Sequence, residues 1–154
     1  MELSFQLNDA AVKKTFASLE RSLSSYKKPF QKAGKDLVTF YGEEVFDSQG
    51  EAGSGRWRKL AASTLMARER RSGYYAQRPV ATGKALIWTG RLQKGIKDEP
   101  SDKQLRIYND VPYFKYHQKA GGRPPQREML VINSKVITTV SGHIFDYLES
   151  AIES

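Results

Sequence analysis

His117 and His143 are the two imidazoles of this 154-residue chain, and they stand 26 positions apart. His117 lies in YFKYHQKAGGRPPQREML, residues 113–130, between aromatics on one side and Gly-Gly, Pro-Pro and two arginines on the other. A general base needs an orienting partner and usually a second titratable group within reach. The nearest acids in the sequence, Asp110 and Glu128, fall outside the short helix predicted to carry His117. No serine in this region has the strand–turn–helix context of a nucleophile elbow. The imidazole is therefore expected to bond at a buried turn or an interface, and no catalytic residue is assigned. Neither histidine has a carboxylate at metal-ligand spacing, and the chain has no cysteine. Glu43, Glu44 and Asp47 read as the solvated face of a helix rather than a hard-cation site. ATGKA, residues 81–85, matches only the tail of a phosphate loop, without the earlier glycine or a hydroxyl residue after Lys84. No cofactor, metal or small-molecule substrate is expected, and the chain is not expected to be an enzyme.

Arginine is the more informative residue. The net charge is +8, yet residues 54–97 alone hold 11 Lys or Arg against one acid, Glu69. The segments on either side are each close to neutral. Arg56, Arg58, Arg68, Arg70, Arg71, Arg78 and Lys84 are the candidate contacts for an anionic partner. They are interleaved with Trp57, Tyr74, Tyr75 and Trp88, and basic groups with aromatic platforms suit a phosphate backbone and exposed bases. No helix-turn-helix, zinc-finger or RNA-recognition pattern accompanies them. An acidic protein surface would serve equally well. Trp57 and Trp88 would also serve as core residues anchoring the ends of a loop.

The elements that must position these residues follow from periodicity. Leu3, Phe5 and Leu7 alternate with Glu2, Ser4 and Gln6, as a half-buried strand requires. Asn8 or Asp9 can cap a helix whose apolar face is Val12, Phe16, Leu19 and Leu23. Pro29 is expected to open a second helix with the stripe Phe30, Ala33, Leu37, Tyr41 and Val45. The two helices should pair and cover a sheet. Residues 49–56 read as a flexible loop, Ser63 as the cap of a short basic helix through Arg71, and 72–90 as a long loop; the whole basic segment 54–97 is expected to be mobile in the free monomer and ordered on assembly. Leu92 and Ile96 suggest a strand that turns at 98–103 and returns through Leu105 and Ile107. Pro112 opens a short helix carrying Tyr113 to Gln118. Residues 129–132 read as a further strand. Asn133 or Ser134 caps a last helix with Val136, Val140, Ile144, Tyr147 and Ala151 inward. Strands and helices are partly segregated, so the fold class is α+β: a small antiparallel sheet packed by two N-terminal helices and a C-terminal helix. Residues 1–154 are expected to form one domain, with 54–91 as a basic, largely loop-like insertion. The opening MELSFQLNDA lacks the pattern of a signal peptide, and no apolar run approaches the roughly 18 residues of a membrane span, so a soluble chain is expected.

Three stretches add to this reading: WRKLAAST (57–64), ALIWTGRLQKGI (85–96) and VPYFKYHQKAGGRPPQREML (111–130). In this order they resemble the virion morphogenesis family of Mu-like and related tailed phages, the tail-completion and neck proteins. Trp57, Leu60 and Thr64 match the first element of that family's pattern. Leu86, Thr89, Gly90, Leu92 and Ile96 match the second, and Tyr113, His117, Gln118, Pro125, Arg127 and Leu130 the third. Gly95 departs from the family's usual serine, Lys119-Ala120 from its single hydrophobic residue, and Met129 from its phenylalanine. The resemblance implies an α+β structural protein without catalysis. Such a protein would form a ring that completes the tail or joins it to the head, among other tail or junction proteins. It would be made in the bacterial cytoplasm and end in the virion. The interface candidates are Trp57, Leu60, Trp88, Arg91, Tyr113, His117, Gln118, Arg123 and Arg127. A DNA-binding protein using 54–97 is the alternative.

Overall fold

The computed structural model describes residues 9–70, 83–119, 121 and 125–153. The strand expected over Leu3–Leu7, and Arg71, Tyr74, Tyr75, Arg78 and Arg123, lie outside the described residues. Among the described residues, six α-helices and one antiparallel hairpin make the fold α+β. No described helix is long and apolar enough to cross a membrane.

The central helix, α2 (Lys27–Thr39), continues into a π-helical turn over Phe40–Val45. Its stripe is the one that the periodicity predicts: Ala33, Leu37, Tyr41 and Val45 are all buried. These residues recur every four positions, which drifts around a straight 3.6-residue helix. The wider turn fits that spacing and keeps Tyr41 and Val45 over the core while turning Phe40 and Phe46 inward as well. Pro29 is the third residue of the helix rather than the first. It is tolerated there because the first four N–H groups have no partner within the helix.

α1 (Asp9–Ser24) packs against the C-terminal helix α6 (Ser134–Glu153), not against α2 as expected. Phe16 and Leu23, assigned to its buried face, are 67% and 52% exposed. The junction of α1 and α2 is instead tied to the hairpin. The Tyr26 N–H donates to the Asp102 carbonyl at 2.7 Å, and the Ser25 hydroxyl to the Asp102 carboxylate at 2.6 Å.

The hairpin is β1 (Ile96–Pro100) with β2 (Leu105–Asn109), in the register Ile96↔Asn109 to Pro100↔Leu105. It lies against α2 where Gly34 is buried. A Cβ on Gly34 would stand 2.5 Å from an Asp98 carboxylate oxygen, so a side chain there would push β1 away. Leu92 is not in a strand: Arg91–Lys94 form the short helix α4. Gly90, at φ 69°, turns the chain into it. Asn109 then bonds the Leu92 carbonyl and the Val111 N–H. Gly95 is packed so tightly against Asn109 and Val111 that a Cβ would lie 2.8 Å from each. The serine usual in the resembling family would not fit here without a shift.

α3 (Ala62–Glu69) confirms a basic helix within 54–70, but its cap position is Ala61 and Ser63 makes no cap. α5 covers Phe114–Gln118. At α6 the expected cap is present: Asn133 Oδ1 accepts from the Val136 N–H at 3.1 Å, and its amide donates to the Ala52 and Gly53 carbonyls. α6 runs along α2, joined by Lys135–Glu44 and by His143 Nε2 to Asp36 at 2.7 Å.

Candidate functional site

The three stretches that carry the resemblance meet in one place. Trp57 sits at its centre, 6% exposed, with its ring edge-on to Phe46 at 5.3 Å. Its indole N–H donates to the Glu128 carbonyl at 2.9 Å, and its backbone N–H to the Gln49 carbonyl at 2.6 Å. Gly50, at φ +90°, makes room for the ring, because a Cβ there would stand 2.3 Å from it. Gln49 in turn holds Ala85 of the second stretch by two bonds, one from each amide atom.

Gln118 performs the clearest single task. Its side-chain oxygen accepts from the N–H groups of Met129 and Leu130, at 2.9 and 3.2 Å, and its amide nitrogen donates to the Leu130 carbonyl. One side chain thus supplies what a neighbouring strand would. These bonds fix residues 129 and 130, and 129–132 do not form the strand the sequence suggests. Met129 becomes fully buried beneath them.

Arg127 is 6% exposed. Its guanidinium donates twice to the Arg58 carbonyl, at 3.1 and 3.0 Å, and its own N–H donates to the His117 carbonyl at 2.8 Å. Burial, with Arg58 and Arg68 nearby, holds its affinity for the proton below the ordinary arginine range. The same burial, with Arg127 beside it, lowers the pKa of His117. His117 Nδ1 is buried without a hydrogen-bond partner among the described residues. Among the described residues no carboxylate is hydrogen-bonded to it, and burial favours its neutral form.

Trp57, Gln118 and Arg127, proposed from sequence as contacts for neighbours, therefore spend their side chains inside this chain. A tryptophan with its N–H satisfied and an arginine bonded to a carbonyl are clamps between segments far apart in sequence. Leu60 packs on the same core, and Trp88 is half-buried under the Arg68 guanidinium at 4.8 Å. Tyr113 and Arg91 remain at the surface. Among the anionic-partner candidates, Arg56, Arg58 and Arg70 are exposed, Lys84 pairs with Asp47 at 3.3 Å, and Arg68 also donates to the Lys84 carbonyl. Arg56 reaches Glu51 only at 4.0 Å, which is too loose and exposed to neutralise it. No group of three metal-ligating side chains occurs among the described residues.

A second feature drew no attention in the sequence. An apolar groove of about 780 Å³ lies between the hairpin, residues 130–132 and α6. Leu37, Tyr41, Val136 and Val140 are among its lining residues, and Lys103 and Arg106 are the charged ones among the described residues that line it. Ile132 and Ile137 line it while 83% and 59% exposed. The Tyr41 hydroxyl is spent on the Val131 carbonyl, and burial pushes its pKa up to about 12. The described lining of the groove is thus mostly aliphatic, with Lys103, Arg106 and Ser141 as its polar exceptions besides Gln104 and Tyr41. The available signal was the apolar pair Ile132 and Ile137, which fall off the stripe that α6 buries.

Compared with protein-family models, curated proteins and solved structures, the chain matches none.

Proposed function

We propose that this chain is a structural assembly protein of a tailed-phage virion, acting in tail completion or in joining head to tail. It would work as one subunit of a ring. The observation that carries the reading is how the three resembling stretches are used. Their tryptophan, glutamine and arginine lock loops together around Met129, as a protein valued for shape requires. The open apolar groove and the exposed Phe16, Leu23 and Phe145 supply surface for neighbours. Such surface is uncommon on a protein that works alone. The test is deletion of the gene from the phage or prophage that encodes it, followed by electron microscopy of induced lysates. Unjoined heads and tails, or tails without a finished end, are expected. Normal infectious particles would contradict the reading.

A second reading, binding of DNA, is favoured by Arg56, Arg58, Arg70 and Arg91, all exposed and of one sign. Backbone binding should weaken steeply with salt in proportion to the phosphates neutralised. Fluorescence anisotropy with labelled duplex at low salt tests it, and absence of any binding there removes it.

A further inference from the structure

The groove has a geometry that narrows what fits it. Four consecutive residues of the hairpin, Gln104 to Ile107, line one wall. Successive strand residues point to opposite faces of a sheet, so a cavity touching three strand residues in a row, Leu105 to Ile107, borders the strand's edge and not its face. Among the described residues β2 pairs only with β1, on its other side. Leu130–Ile132, and residues of α2 and α6, complete the lining. Backbone donors and acceptors along one wall, with an apolar lining, suit a peptide added as a strand. Such a peptide must alternate, with apolar side chains down and polar ones out. The charged groups at the rim, Lys103 and Arg106, favour an acid on the outward side; Arg106 meets an exposed Glu99 at 3.4 Å and lies over the Tyr108 ring, so its positive charge is only weakly offset.

One segment of the chain has this pattern. Residues 2–7, ELSFQL, set Leu3, Phe5 and Leu7 against Glu2, Ser4 and Gln6, ahead of α1. They lie outside the described residues, and only their sequence enters here. We propose that the groove takes residues 2–7 of a second copy of this chain, added along the outer edge of β2. Leu3, Phe5 and Leu7 then enter the groove, and Glu2 meets the basic rim. Donor and acceptor are different surfaces of one subunit, so the contact is head-to-tail and can close a ring. This deepens the assembly reading and rests on it, yet its test needs no virion.

The test is sedimentation of the full-length protein with two substitutions at the two sides of the contact. Ile137→Asp spoils the groove and Phe5→Asp spoils the segment. Ile137 is already exposed, so the groove variant should fold, and circular dichroism of both variants checks this. Wild type should self-associate with rising concentration, and each variant should weaken that by roughly tenfold to a hundredfold. An equimolar mixture should form a heterodimer and stop there, because one intact groove meets one intact segment. Ser4→Asp, on the outward side, should leave association within about twofold of wild type. The proposal is overturned if wild type stays monomeric up to roughly 1 mM, if either variant still self-associates normally, or if the mixture remains monomeric. Those results would leave the assembly reading standing, whereas a prophage that matures normally without the gene would remove that reading and not this contact.

Discussion

The clamp around Trp57 and the groove beside β2 are opposite uses of apolar surface. At the clamp, distant segments close on one another, and the Trp57 indole, the Gln118 amide and the Arg127 guanidinium all donate to backbone carbonyls. At the groove, aliphatic side chains face an open space and a strand edge lacks a partner among the described residues. Folding is complete at the first and unfinished at the second. Residues that draw the eye in the sequence, a tryptophan, a histidine and arginines, belong mainly to the first. The surface most suited to a neighbour is made of leucines, isoleucines and valines that draw none.

That contrast predicts unequal responses to mutation. Trp57→Ala should cost the most, about 3–5 kcal/mol, because it opens a cavity against Phe46 and leaves the Glu128 carbonyl unpaired. In a thermal melt this is a fall of roughly 10 °C for a chain of this size. Gln118→Ala should cost about 2–3 kcal/mol by unpairing the backbone at Met129 and Leu130, measured by urea unfolding. Either substitution proving neutral would break the distinction. Gly34→Ala tests how closely the hairpin sits on α2, and about 1–2 kcal/mol is expected from displacing Asp98.

His117 gives a smaller, pH-dependent effect. Its pKa is lowered in the folded state by burial and by Arg127, so the unfolded chain binds the extra proton first as pH falls. The stability its neutral form contributes is present above the unfolded value of about 6.5 and is lost as pH falls below it toward the folded pKa. Melts from pH 7.5 to 5 should show this loss, and His117→Gln should flatten it. Smallest of all, Ile132→Ser in the groove should change stability by no more than about 0.5 kcal/mol. A large loss there would mean that the groove is part of the monomer's core.

Much of the scaffold was legible. The stripe of α2, the hairpin, the Asn133 cap and the α+β class follow from spacing and cap chemistry alone. Other features depended on contacts that no local pattern encodes. Residues 129–132 have a strand's composition, but their partner is the side chain of Gln118, eleven residues away. Ile96 opens β1 as expected, but Leu92 falls in the helical turn before it, as a spacing of four between the two residues allows. α1 chose α6 over α2 because the link to Asp102 directs the junction, and periodicity says nothing of direction. At the site, Trp57 was legible as a core residue or as a contact, and only burial chooses between these.

Hydrogen exchange read residue by residue compares the two regions in one experiment. The N–H groups of Met129 and Leu130 should be protected to the same degree in dilute and concentrated protein. Those on the outer edge of β2, within Leu105–Asn109, should exchange freely when dilute and slow as concentration rises. If the β2 groups exchange alike at every concentration, the groove is not where this chain meets its neighbour.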